Sequence, residues 1–143
     1  MSKPHLIVLR GAPDSGKTTT IGQLYLLMKN SNLGFYMLNA DKKGARETKA
    51  LIHTNGILIG ILSAGDKHSF ITDQLKRFMY LKCTIIVCAC HSEGSKTHKA
   101  IEVLRKKSSS ILYVDISKVQ ENYVAHKKVM ARKIYSEVKR LMK

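Results

Sequence analysis

The chain has no tryptophan, two prolines, three cysteines and only 10 acidic side chains among 143 residues. Each shortage excludes something. With Pro4 and Pro13 the only prolines, and with no repeat or low-complexity stretch, there is no linker, and residues 1–143 read as a single domain. Cys83, Cys88 and Cys90 are odd in number, and two of them sit in an apolar run. They suit a reduced, cytoplasmic setting, and they lack the paired spacing of a zinc site. No apolar run approaches the roughly 18 residues of a membrane span. The short run "LIVLR" ends in a glycine motif, with no small-residue cleavage site after it, so no signal peptide is expected. The few aromatics form no stripe for base stacking, which argues against a dedicated single-strand binder.

The shortage of acid leaves 25 Lys and Arg unbalanced, a formal charge of +15. Such an excess favours anionic partners: a nucleotide, a nucleic acid or an acidic surface. A lysine-rich solvated surface is the plainer alternative.

What is present alternates. Residues 6–10 and 83–90 are continuous apolar runs, as in strands buried on both faces, and 110–116 reads as a third. Residues 34–38 are strand-like. The runs in 49–62 are joined by Asn55-Gly56, a hairpin signal because both turn positions favour positive φ. Helical spacing covers 17–30, 69–81 with Ser69 as N-cap, 95–107, and a long amphipathic stretch over 119–142. On that last helix Val119, Tyr123, Met130, Ile134, Val138 and Leu141 form the apolar side. Lys127, Lys128, Arg132, Lys133, Lys139, Arg140 and Lys143 form the polar one. Strands alternating with helices predict an α/β fold: a three-layer α/β/α sandwich on a mostly parallel sheet, with an antiparallel hairpin strand at one edge.

Residues 11–18, "GAPDSGKT", match G-x-x-x-x-G-K-[ST] between a buried strand and a helix. The glycines let successive N–H groups turn inward on a phosphate, and the helix start adds its unpaired N–H groups and positive dipole end. Lys17 can reach β- and γ-phosphates, Thr18 can ligate Mg²⁺, and Thr19 is placed for an α-phosphate. A chance match is expected in roughly one chain of this length in a few hundred, before its position between strand and helix is required.

On this motif and the alternating pattern the chain resembles the P-loop nucleoside triphosphate hydrolases, and "GAPDSGKTT" looks most like the loop of small nucleotide kinases. Those usually carry glycine where Asp14 stands; some polynucleotide kinases and G-protein α subunits carry an acidic residue there. The resemblance implies an ATP- and Mg²⁺-binding protein, kinase-like or an ATPase, held through Gly11, Ala12, Pro13, Asp14, Ser15, Gly16, Lys17, Thr18 and Thr19. It also implies a strand order with the hairpin strand beside the P-loop strand and the two later strands on the P-loop strand's other side.

Turnover needs a carboxylate for the metal and charge for the moving phosphoryl group. Asp66 in "SAGD", past the end of the hairpin strand, is the first candidate, as metal-proximal and catalytic residue beside Lys17. Asp41 is the second. Lys96, Lys99, Arg46 and Arg77 are the cations available as phosphate clamps, and His91 ends a strand that could face the crevice. The small-GTPase pattern is not followed, since Leu62 stands at its aspartate position and no guanine-reading motif appears. The alternative to an enzyme is a nucleotide-dependent switch, or a non-catalytic binder associated with nucleic acid through its basic surface.

Overall fold

A computed structural model describes residues 3–12, 16–30, 36–37, 49–54, 56–63, 68–116 and 123–142, with the backbone alone at 36–37, 68–70 and 123–124. The elements are β1 (His5–Arg10), α1 (Lys17–Lys29), β2 (Tyr36–Met37), β3 (Lys49–Thr54), β4 (Ile57–Leu62), α2 (His68–Tyr80), β5 (Ile85–Cys90), α3 (Lys96–Glu102), a 3₁₀ turn at Arg105–Lys107, β6 (Ser110–Asp115) and α4 (Tyr123–Leu141). One six-stranded sheet has the order β2-β3-β4-β5-β1-β6.

Alternation along each strand divides the core. Ile7 and Leu9 of β1, with Ile85, Val87 and Ala89 of β5, pack against Ile21, Leu24 and Met28 of α1 and Ala131, Ile134 and Val138 of α4. Their neighbours Leu6, Val8, Ile86, Cys88 and Cys90 point the other way, onto Ile71, Leu75 and Phe78 of α2 and Ile101 of α3. The result is the expected three-layer α/β/α sandwich. Strands β4, β5, β1 and β6 are mutually parallel, and β3 runs against its neighbours β4 and β2. The hairpin forms as expected between β3 and β4, with Gly56 at φ 77, and the two-residue β2 lies outside it.

The strand order departs from the sequence-based expectation. The hairpin strand β4 does not neighbour β1, because β5 lies between them, and the two later strands flank β1 on either side. The reason is burial. The middle position needs a strand apolar on both faces, and β5 (IIVCAC) is buried at all six positions. Strand β6, expected to be buried, is instead the outer strand: Val114 is buried, Ile111 and Tyr113 are half-buried, and Ser110, Leu112 and Asp115 are exposed.

Three local expectations also change. Helix α2 begins at His68, so Ser69 lies inside its first turn and does not cap it. The helix expected over 95–107 stops at Glu102 and continues as a 3₁₀ turn. Lys127 is fully buried on the inner side of α4, one turn before Ala131, so it does not belong to the polar side. Val119 and Lys143 lie outside the described residues, as do the side chains of Ser69 and Tyr123. No helix among the described residues is long and apolar enough to cross a membrane.

Candidate functional site

Neighbouring parallel strands β1 and β5 send their chains to opposite faces: β1 leads to α1, on one layer, and β5 to α3, on the other. Divergence of this kind opens a crevice at the carboxyl ends of the strands, where α/β sheets bind ligands. The glycine motif starts there. Gly11 follows the last residue of β1, and its N–H donates to the Cys90 carbonyl at the end of β5 at 3.3 Å.

Gly16 closes the loop in the left-handed region, at φ 95 and ψ 18, and is the N-cap of α1. A side chain there would meet its own backbone, which is why a glycine stands at the turn into the helix. Thr20 ties the helix to this turn: its N–H donates to the Gly16 carbonyl at 2.9 Å and its hydroxyl to the same oxygen at 2.8 Å. The amides of Lys17, Thr18 and Thr19 precede it, in the first turn of the helix. Gly16 has no side chain with which to cap this end, and the first turn holds no acidic residue.

The Lys17 ammonium folds back across the loop and donates to the carbonyls of Gly11 (2.5 Å) and Ala12 (3.2 Å). It also lies close enough to Cys90 to matter electrostatically. Burial pushes the Cys90 thiol up to about 11, against the opposing pull of Lys17 and Arg10. The structure therefore brings Gly11, Ala12, Gly16, Lys17, Thr18 and Thr19 to one end of the sheet. Pro13, Asp14 and Ser15 lie outside the described residues, as do Asp41, Arg46 and Asp66. The strand preceding Asp66 is β4, two strands from β1, or ~10 Å at ordinary strand spacing. Arg77 is exposed in the last turn of α2, and Lys96 and Lys99 are exposed on α3, each a solvated cation.

The facing wall is the loop 91–95. The His91 N–H donates to Thr97 Oγ1 at 2.8 Å, and Ser95 caps α3 by accepting from the His98 N–H. Behind it lies a polar network that the sequence reading did not assemble. Arg10 places Nε and Nη2 on the two carboxylate oxygens of Asp115 at 2.8 and 3.2 Å, and its guanidinium covers the Tyr113 ring at 4.5 Å. This pairing holds the Asp115 carboxyl below, and Arg10 above, their ordinary ranges.

His98 joins the same network. Its Nδ1 accepts from the Gly94 N–H at 2.9 Å, so the imidazole proton sits on Nε2, toward Glu102 Oε1 at 3.7 Å. The 3.4 Å approach of Arg10 Nη1 to that nitrogen is then a contact between two donors. The one signal available beforehand was in-phase placement: Arg10 and Asp115 are the last residues of two parallel strands and pair in register. Cys88 and Cys90 share the α2/α3 face of β5.

No family model matches the chain, and no curated protein matches it. A solved structure described as "Crystal structure of APE1195" is similar to it at 16% identity and a TM-score of 0.42, over 96% of this chain and 77% of that one.

Proposed function

We propose that the protein binds a nucleoside triphosphate, ATP with Mg²⁺, at the loop 11–19 and turns it over as a small kinase-like phosphotransferase or ATPase. One observation carries the reading. The left-handed Gly16 turns the chain into helix α1 at the β1/β5 crevice, with the Lys17 ammonium folded onto the carbonyls of the loop. A glycine turn, the positive end of the helix dipole and the Lys17 ammonium meet there with no acidic side chain in the first turn, which suits a polyphosphate.

The donor set fits the triphosphate. Lys17 would exchange its carbonyl contacts for β- and γ-phosphate oxygens, and the Thr18 hydroxyl would serve the metal. A bound Mg²⁺ would supply charge neutralisation between phosphates. Buried thiols on β5 suit the reducing interior of a cell.

Lys17→Ala tests the reading directly. Triphosphate affinity measured by calorimetry should fall by at least about a hundredfold, because a charged donor is removed from the phosphates. The thermal melt should barely move, since Lys17 lies outside the core. Unchanged affinity in the folded variant would falsify the assignment. Asp66→Asn and Asp41→Asn separate binding from chemistry. We expect Asp66→Asn to leave nucleotide affinity within a few-fold while turnover drops by orders of magnitude. Loss of turnover in Asp41→Asn alone moves the metal carboxylate to that residue. A parent protein that binds without turnover is a binder and no enzyme.

A further inference from the structure

We propose that the outer face of α4 is an interface for the phosphate backbone of double-stranded nucleic acid, bound without regard to sequence. The claim does not depend on the nucleotide-binding reading. Burial fixes how α4 is oriented. Lys127, Ala131, Ile134 and Val138 are fully buried and mark the inward side, where the last three pack with α1 and sheet residues. At 100° per residue this places Lys128, Arg132, Lys133, Lys139 and Arg140 together on the opposite side, and all five are exposed. They span ~18 Å of helix at 1.5 Å per residue.

Only one acidic residue lies among them, Glu137, and it is held by Arg140 at 2.9 Å. Lys139 rests over the Tyr135 ring at 4.7 Å, its charge still exposed. Between the cations stand Val129 and Ser136, neither large enough to hold a phosphate chain off the helix. The face is thus a rigid array of cations at helical spacing, the charge complement of a regularly spaced polyanion.

A lipid surface is the poorer match. A helix lying in a membrane interface needs a free apolar face, and that face of α4 is spent on α1 and the sheet. A single strand is the poorer match as well, because the array offers no exposed aromatic for stacking bases. A duplex presents backbone charge and asks for no stacking.

The test uses the full chain and a fluorescein-labelled 24-base-pair duplex of mixed sequence, with anisotropy read from about 50 to 300 mM salt. Four to five phosphate contacts predict a log–log salt slope of about −4. The variant Lys128→Glu with Arg132→Glu should weaken binding at least about tenfold at 100 mM salt. The variant Lys76→Glu with Arg77→Glu, on exposed positions of α2 across the sheet, makes the same change in net charge. It should cost less than about threefold, and circular dichroism checks that both variants fold. Equal losses in the two variants overturn the proposal, since bulk charge then explains binding. So do the absence of duplex binding at 50 mM salt and much tighter binding of the matching single strand.

Discussion

Gly16 is where backbone geometry and proposed chemistry meet in one residue. Its φ of 95 is open to glycine and strained for anything with a Cβ. Gly16→Ala should therefore cost about 1–2 kcal/mol in denaturant unfolding, and should lower triphosphate affinity by a larger factor, because the loop must relax to relieve the strain. An unchanged unfolding midpoint would show that the turn accommodates a side chain. The motif around Gly16 was legible because its residue types follow from local rules: glycine for the turn, lysine for charge, a hydroxyl after it. The Arg10–Asp115–His98 cluster was not legible. Its members are 105 and 88 residues from Arg10 in sequence; parallel registration sets Asp115 beside Arg10, and the packing of α3 brings His98.

At the scale of elements, the close approach of α2 to β4 is the sharpest packing constraint. A Cβ at Gly60 would lie 2.8 Å from two atoms of the Phe78 ring, itself 2% exposed. Gly60→Ala should destabilise by about 1–3 kcal/mol, since the ring has no free space to retreat into. Adding Phe78→Leu to Gly60→Ala should recover part of that loss, measured as a positive coupling in a double-mutant cycle. Additive effects would place the strain elsewhere. Periodicity revealed each of these elements, but for α4 it put Lys127 among the solvated cations. A lysine carries the same letter on either face. It is inside because the inner face runs 127, 131, 134 and 138, and burial lowers its pKa from the ordinary lysine value.

At the scale of the whole molecule, three buried thiols make stability depend on pH. Burial pushes Cys83 up to about 12 and Cys90 to about 11, and raises Cys88 further, against a reference of 9.0. A folded-state pKa above the unfolded one means that the native chain holds the proton longer. The stabilisation is then complete below pH 9 and lost as pH rises toward the folded values. Lys127, shifted downward, titrates in the opposite sense, but among the described residues it stands against the three thiols and Tyr113, whose hydroxyl burial also raises. Denaturant unfolding should therefore weaken from pH 9 to 11, by up to about 1.4 kcal/mol per pH unit for each thiol. Cys83→Ala with Cys90→Ala should flatten the slope, and a slope unchanged in that variant would assign it to other groups. The same burial predicts that a thiol reagent at pH 8 leaves the folded protein unlabelled and modifies all three cysteines in denaturant.

The layers were determined by the sequence itself: alternating apolar runs and helical periods allow only a sheet covered on both faces, and the Asn-Gly turn makes one hairpin. The glycine motif was placed by the same local rules. Strand order was a tertiary decision. Strands β4, β5 and β6 all read as apolar, yet β5 took the place beside β1 and β6 the open edge, because burial is a property of neighbours and not of letters. That choice moved the strand before Asp66 one place away from the loop, and set Arg10 against Asp115 at the end of an edge strand.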